Sequence, residues 1–167
     1  NRPHIKTHKI PALARMQCDA GAKGITCQKL GEAEVMLDGG IGDILISYNL
    51  IGAARSGRLA ALLKRSSLTA CADNPVTLAA YAEAAETAGR VIDVAIECDT
   101  GRKRAGVETP REAVQLAEIV KGTDGLRFKG FLLYPTETGW PEAQKFYDEA
   151  LKGVRALGLD PEIVSTG

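Results

Sequence analysis

Val91-Ile92-Asp93-Val94-Ala95-Ile96-Glu97-Cys98-Asp99 is the stretch on which the fold turns. Its β-branched residues predict a strand over 91–98, and successive side chains of a strand point to opposite faces. Ile92, Val94, Ile96 and Cys98 then form an apolar face for packing helices, while Asp93, Ala95, Glu97 and Asp99 form the other. An open parallel sheet covered by helices on both sides buries apolar residues on both faces. Carboxylates at alternate positions of one face instead suit the lumen of a closed barrel near its mouth.

Outward from this strand the chain repeats one rhythm. Strands are predicted at 24–27, 43–47, 67–71, 127–133 and 162–165, and helices at 11–20, 30–38, 52–64, 75–88, 110–121 and 141–157. The punctuation is chemical: Pro11, Pro75, Pro110 and Pro141 suit first helical positions, Asn74 suits an N-cap, and Thr109 with Glu112 forms a capping box. Gly21, Gly89, Gly122 and Gly158 suit helix ends. Strict β-then-α alternation with short connections implies parallel strands and right-handed crossovers. With a further strand in the opening run, the count is seven strands and six helices. The expected class is α/β, a (β/α)8 barrel that is incomplete here, because such barrels usually need about 250 residues and the chain has 167.

The opening run Arg2-Pro3-His4-Ile5-Lys6-Thr7-His8-Lys9 concentrates two histidines and two lysines. Read as a strand and the loop leaving it, it places His4, Lys6 and His8 on one face and Ile5, Thr7 and Lys9 on the other. Ile5 is then buried against helices. Lys6 points into the interior, where loss of solvent frees its amine as a nucleophile.

Barrel folds place chemistry at the C-terminal ends of their strands. Collected there are Lys6 and His8, Gln28, Glu97 and Asp99 with the turn through Arg104, Tyr134, and Ser165-Thr166-Gly167. A lysine amine, an arginine for a ring's polar edge, a tyrosine and a Ser-Thr-Gly turn offering N–H groups to phosphate suit an anionic aldehyde cofactor such as pyridoxal phosphate. Glu97 is expected within ion-pair distance of Arg104, directing it toward the ring.

Bulk properties agree with small-molecule chemistry. The chain is 45% hydrophobic and 25% charged, with 21 basic and 21 acidic residues. No net charge recruits nucleic acid or an anionic membrane, and no apolar run is long enough to span a bilayer. Cys18, Cys27, Cys71 and Cys98 lack CxxC spacing and read as free thiols in a reducing cytoplasm.

RPHIKTHK (2–9), followed by PALARMQCDAGAKGITCQKLGEAEVMLDGGIGDILIS (11–47), closely resembles the opening of the D-threonine aldolase and D-serine dehydratase family, among the alanine-racemase-like, fold-type III pyridoxal-phosphate enzymes. ECDTGRKRAG (97–106) resembles that family's acidic Arg-Xaa-Gly turn, and VSTG (164–167) the start of its phosphate loop. The resemblance implies that Lys6 is the Schiff-base lysine, Arg104 faces the ring's O3 and Tyr134 is the active-site tyrosine, with Lys6 and Tyr134 catalytic. From their place at the strand ends, His8, Gln28, Ser165, Thr166 and Gly167 are expected to join Lys6, Arg104 and Tyr134 in cofactor binding, with Glu97 and Asp99 in support.

The implied activity is a pyridoxal-phosphate-dependent lyase acting on D-3-hydroxy amino acids. A racemase with the same parts, or a binding protein without turnover, remains an alternative. The resemblance also implies a homodimer and a divalent metal in the full-length protein, the metal held by residues outside this chain. On this reading residues 1–167 are a partial cofactor-binding barrel, with the rest of the barrel and a C-terminal domain elsewhere. Alone they are expected to bind cofactor weakly, turn nothing over and associate. One departure stands out: after Tyr134 the chain continues Pro135-Thr136-Glu137-Thr138-Gly139 where many relatives have a Gly-His pair.

Overall fold

The structure, a computed structural model, describes residues 1–166. Six parallel strands form one sheet in sequential order: β1 (Ile25–Cys27), β2 (Asp43–Ile46), β3 (Ser67–Ala72), β4 (Ile92–Cys98), β5 (Leu126–Leu133) and β6 (Ile163–Ser165). Helices α1 (Pro11–Asp19), α2 (Leu30–Asp38), α3 (Ala53–Leu63), α4 (Pro75–Ala88), α5 (Pro110–Gly122) and α6 (Trp140–Ala156) alternate with them. Sequential order with a helix in every crossover is the layout of an incomplete barrel. No helix among the described residues is long and apolar enough to cross a membrane.

Local chemistry explains the boundaries. Asn74 accepts a hydrogen bond from the Thr77 N–H, and α4 stops at Gly89, whose φ of 61° lies in the left-handed region. The Thr109 hydroxyl and the Glu112 carboxylate cap each other's backbone at the start of α5. The apolar faces of strands and helices merge into one core, from Ile5 and Ile25 through Ile92, Val94 and Ile96 to Phe131 and Val154. Leu45, Cys71, Ala95 and Leu132 form a separate small cluster. One inward residue from each of β2 to β5 makes this layer, which fills the lumen beneath its mouth.

β5 needs an irregularity to serve both faces. Its register with β4 shifts between Val94 and Ala95, so that Val94 pairs with Phe128 and Ala95 with Gly130. This bulge lets Phe128 and Phe131, three residues apart, both join the helix-side core, where their rings meet edge to face at 5.4 Å. Gly130 is required there: its φ is 146°, and a Cβ would collide with the Ile163 carbonyl oxygen.

The opening run departs from expectation. It contributes no seventh strand; extended chain there is limited to a short stretch beside β1, where the Asn1 and Pro3 carbonyls accept from the Lys23 and Thr26 N–H groups and His4 bridges Thr26. Ile5–Thr7 then close into a 3-10 turn capped by the His4 side chain. That cap bends the chain out of the sheet, and Lys9, at φ 55°, completes the bend before α1. Face alternation therefore fails beyond His4, although Ile5 is fully buried as expected.

Candidate active site

At the C-terminal ends of the strands, Lys6, Gln28, Glu97, Arg104, Tyr134 and Ser165 line one cavity. Its walls are completed by His4, Thr26, Ser47 and Leu132, the last rising from the lumen layer. Strand parity delivers Gln28 and Ser47 one position beyond β1 and β2, and Glu97 from the inward face of β4. Lys6 arrives differently, on the capped turn, and is exposed at the mouth rather than desolvated inside.

Other expected members stand apart. His8 is not in the cavity; its Nδ1 accepts from the Ile10 N–H at 3.0 Å, because the turn rotates it away from Lys6. Lys9 also turns away, with its ammonium 3.1 Å from the Glu32 carboxylate. Asp99 shapes the turn after β4 by accepting from the Gly101 and Lys103 N–H groups, and lines an adjacent cleft with Asp73 and Arg104. Thr166 is exposed after β6, and Gly167 lies outside the described residues. The expected Glu97–Arg104 ion pair is not formed among the described residues, although both side chains face the cavity. Arg104 instead lies over the Tyr134 ring, 5.1 Å from its centroid.

The electrostatics of the cavity centre on Glu97. It is 5% exposed. Burial, then the neighbouring Asp73 carboxylate, push its carboxyl up to about 7, against the pull of Arg104. Asp73 itself is satisfied: it accepts from the Asn49 and Asn74 side-chain amides and from the Gly106 N–H. Burial, then the Lys6 charge, lower the pKa of His4. Burial raises the thiols of Cys27 and Cys98 and, well above the usual range, Cys71, which leaves these three as packing groups. All four cysteines are free.

Sequence reasoning missed Arg102. Its guanidinium lies 4.1 Å from the Tyr134 ring centroid, within cation–π range. It also donates to the Tyr134 and Pro135 carbonyls and reaches the Glu137 carboxylate at 3.4 Å. Three basic residues in one exposed turn, Arg102, Lys103 and Arg104, gave no signal to separate a loop clamp from a ligand contact. Ser47 was legible in principle, since it ends a strand just as Gln28 does. Asp73 was masked by its neighbour Asn74, whose capping role accounted for the pair.

The alanine racemase N-terminal domain family matches residues 2–167 of the chain. The chain is 38% identical to a D-threonine aldolase of an Arthrobacter species over 133 residues, 80% of this chain and 35% of that protein. It is 32% identical to the 3-hydroxy-D-aspartate aldolase of Paracoccus denitrificans (strain Pd 1222) over 182 aligned positions, all of this chain and 46% of that protein. The crystal structure of D-threonine aldolase from Filomicrobium marinum superposes with a TM-score of 0.94 at 37% identity, covering 98% of this chain and 47% of that one. The chain thus spans less than half the length of each.

Proposed function

The chain belongs to the alanine racemase N-terminal domain family, and on that premise we propose that it holds pyridoxal phosphate in a lyase acting on D-3-hydroxy amino acids. The observation that carries this reading is the meeting of Lys6, Arg104, Tyr134 and Glu97 in one cavity at the strand ends. The similarity to a D-threonine aldolase and a 3-hydroxy-D-aspartate aldolase supports it.

The donor set fits the cofactor. Glu97 is a buried carboxyl to which no other described residue donates a hydrogen bond, facing a cavity that also offers an amine, a guanidinium and a flat aromatic wall. Bound there, pyridoxal phosphate supplies an aldehyde for covalent capture and a ring that takes up the electron pair released as a bond to the amino acid's α-carbon breaks. Lys6 supplies the capturing amine. Arg104, set over Tyr134, would donate N–H groups to the ring's polar edge, and Ser165 would serve the phosphate. The Tyr134 hydroxyl, on the cavity wall, would be available to move a proton. Residues 1–167 act as the cofactor-holding part of the barrel, and the working protein is a cytoplasmic homodimer. Its four free thiols suit a reducing compartment.

The test uses the full-length protein with pyridoxal phosphate, borohydride reduction and peptide mapping. Reduction is expected to leave the pyridoxyl group on Lys6. Lys6→Ala is expected to lower release of glycine and aldehyde from D-threonine and D-3-hydroxyaspartate by more than about a thousandfold. A label on Lys9, or racemised substrate with no cleavage, overturns the reading.

A further inference from the structure

His4, which caps the turn at Ile5–Thr7 and stands in the cavity wall, is also the residue that places Lys6. The backbone N–H of Lys6 can only donate, and it points at His4 Nδ1, 3.3 Å away. Nδ1 must therefore carry the lone pair, which leaves the proton on Nε2. Nε2 lies 3.2 Å from the Ser47 hydroxyl, and that hydroxyl lies 3.3 Å from the Cys27 carbonyl, which can only accept. Directionality is consistent along the whole chain: imidazole Nε2–H to serine oxygen, serine O–H to the end of β1. One ring thus ties the sheet, through β1 and Ser47, to the turn that presents the lysine.

We propose that His4 is a positioning residue for Lys6, with its Nε2-protonated imidazole acting as the cap that holds the lysine-bearing turn at the cavity mouth. The inference rests on the reading of Lys6 as the cofactor lysine and adds to it a dependence on the charge state of His4. Protonation at Nδ1 removes the acceptor for the Lys6 N–H and opens the turn. The charged groups facing the ring are Lys6 itself, Glu32 from α2 and Arg104 from the turn after β4. Burial, Lys6 and Arg104 favour the neutral ring, against a hydrogen bond with the Gln28 side chain and the pull of Glu32; the balance lowers the pKa, so the cap forms at neutral pH and is lost on acidification.

Two replacements separate the two ring nitrogens. Asparagine carries an acceptor at the level of Nδ1 and does not titrate; glutamine carries a donor at the level of Nε2 and lacks the near acceptor. In the full-length protein, His4→Gln and His4→Ala are expected to weaken pyridoxal phosphate binding about fivefold or more, the size of a lost N-cap. His4→Asn is expected to stay within about twofold and to lack the acid-side loss of binding expected of the parent below neutral pH. Hydrogen exchange of the Lys6 amide and the nitrogen-15 shifts of His4 give readouts without cofactor. The parent is expected to show a protonated Nε2 and a bare Nδ1, and Lys6 exchange is expected to rise in Ala and Gln but not in Asn. A proton on Nδ1, or binding preserved by Gln and lost by Asn, overturns the role of His4. A pyridoxyl label away from Lys6 with these spectra intact overturns the reading of Lys6 instead.

Discussion

Asp93 and Glu97 sit four residues apart on the same face of the same strand and are almost equally buried, 7% and 5% exposed, yet their surroundings are opposite. Asp93 pairs in register with Arg127, which donates to its carboxylate at 2.9 Å, and Lys129 adds a second cation at 3.5 Å. Glu97 pairs in register with Leu132 and has Asp73 as a neighbouring carboxylate. Burial alone therefore does not decide what a carboxyl does; the facing strand does. At the N-terminal end of the lumen β5 supplies cations and the charge is structural. At the C-terminal end β5 supplies a leucine, and the carboxyl is left with capacity for something that is not protein.

The contrast depends on the bulge in β5, which lies between the two levels, so the strongest way to break it is Gly130→Ala. A Cβ driven against Ile163 at a φ of 146° is expected to cost about 3 kcal/mol or more and to release β6. Urea unfolding and exchange of the 163–165 amides check this; an unchanged midpoint means the bulge is dispensable.

Removing the ionisable group at the upper level sharpens the contrast. The Glu97 carboxyl rises from 4.5 unfolded to about 7 folded, so the folded state binds more protons between these values. Its contribution is fully present below about pH 4.5 and is lost as pH rises through about 7. Glu97→Gln is then expected to be more stable than the parent by up to about 3 kcal/mol at pH 8, with the gain vanishing near pH 4.5. Cofactor binding weakens in the same variant. A stability gain that is flat from pH 4 to 8 removes the carboxyl's titration from the account.

At the lower level the same kind of change has the opposite sign. Asp93→Asn leaves Lys129 and the more exposed Arg127 short of a counter-charge, with an expected loss of about 1 to 2 kcal/mol. Pyridoxal phosphate capture by Lys6 is expected to be unchanged. A loss of capture equal to that of Glu97→Gln erases the distinction between the two ends.

The alternation of strands and helices was legible because each boundary carries its own chemistry, as at Asn74, Gly89, Thr109 and Glu112. The barrel was legible because Asp93 and Glu97 share parity on an otherwise apolar strand. Two things were not. The bulge at Gly130 is a compromise between Phe128, Phe131 and the backbone of β6, and no local pattern announces it. The turn at Ile5–Thr7 hides inside a run that alternates like a strand, because the bond that bends it joins a side chain to its own backbone two residues on. The same limit applies in the cavity. Lys6 and Tyr134 could be collected from strand ends, but the failure of Arg104 to pair with Glu97 depends on side-chain directions within one irregular loop.

Arg102 fastens the segment after β5 to the turn after β4 through a stacked ring and several hydrogen bonds at once. Neither loop can swing away without breaking this whole set, so the rim on that side behaves as a single shutter rather than two leaves. Whatever passes Tyr134 then meets one joined rim rather than two independent loops.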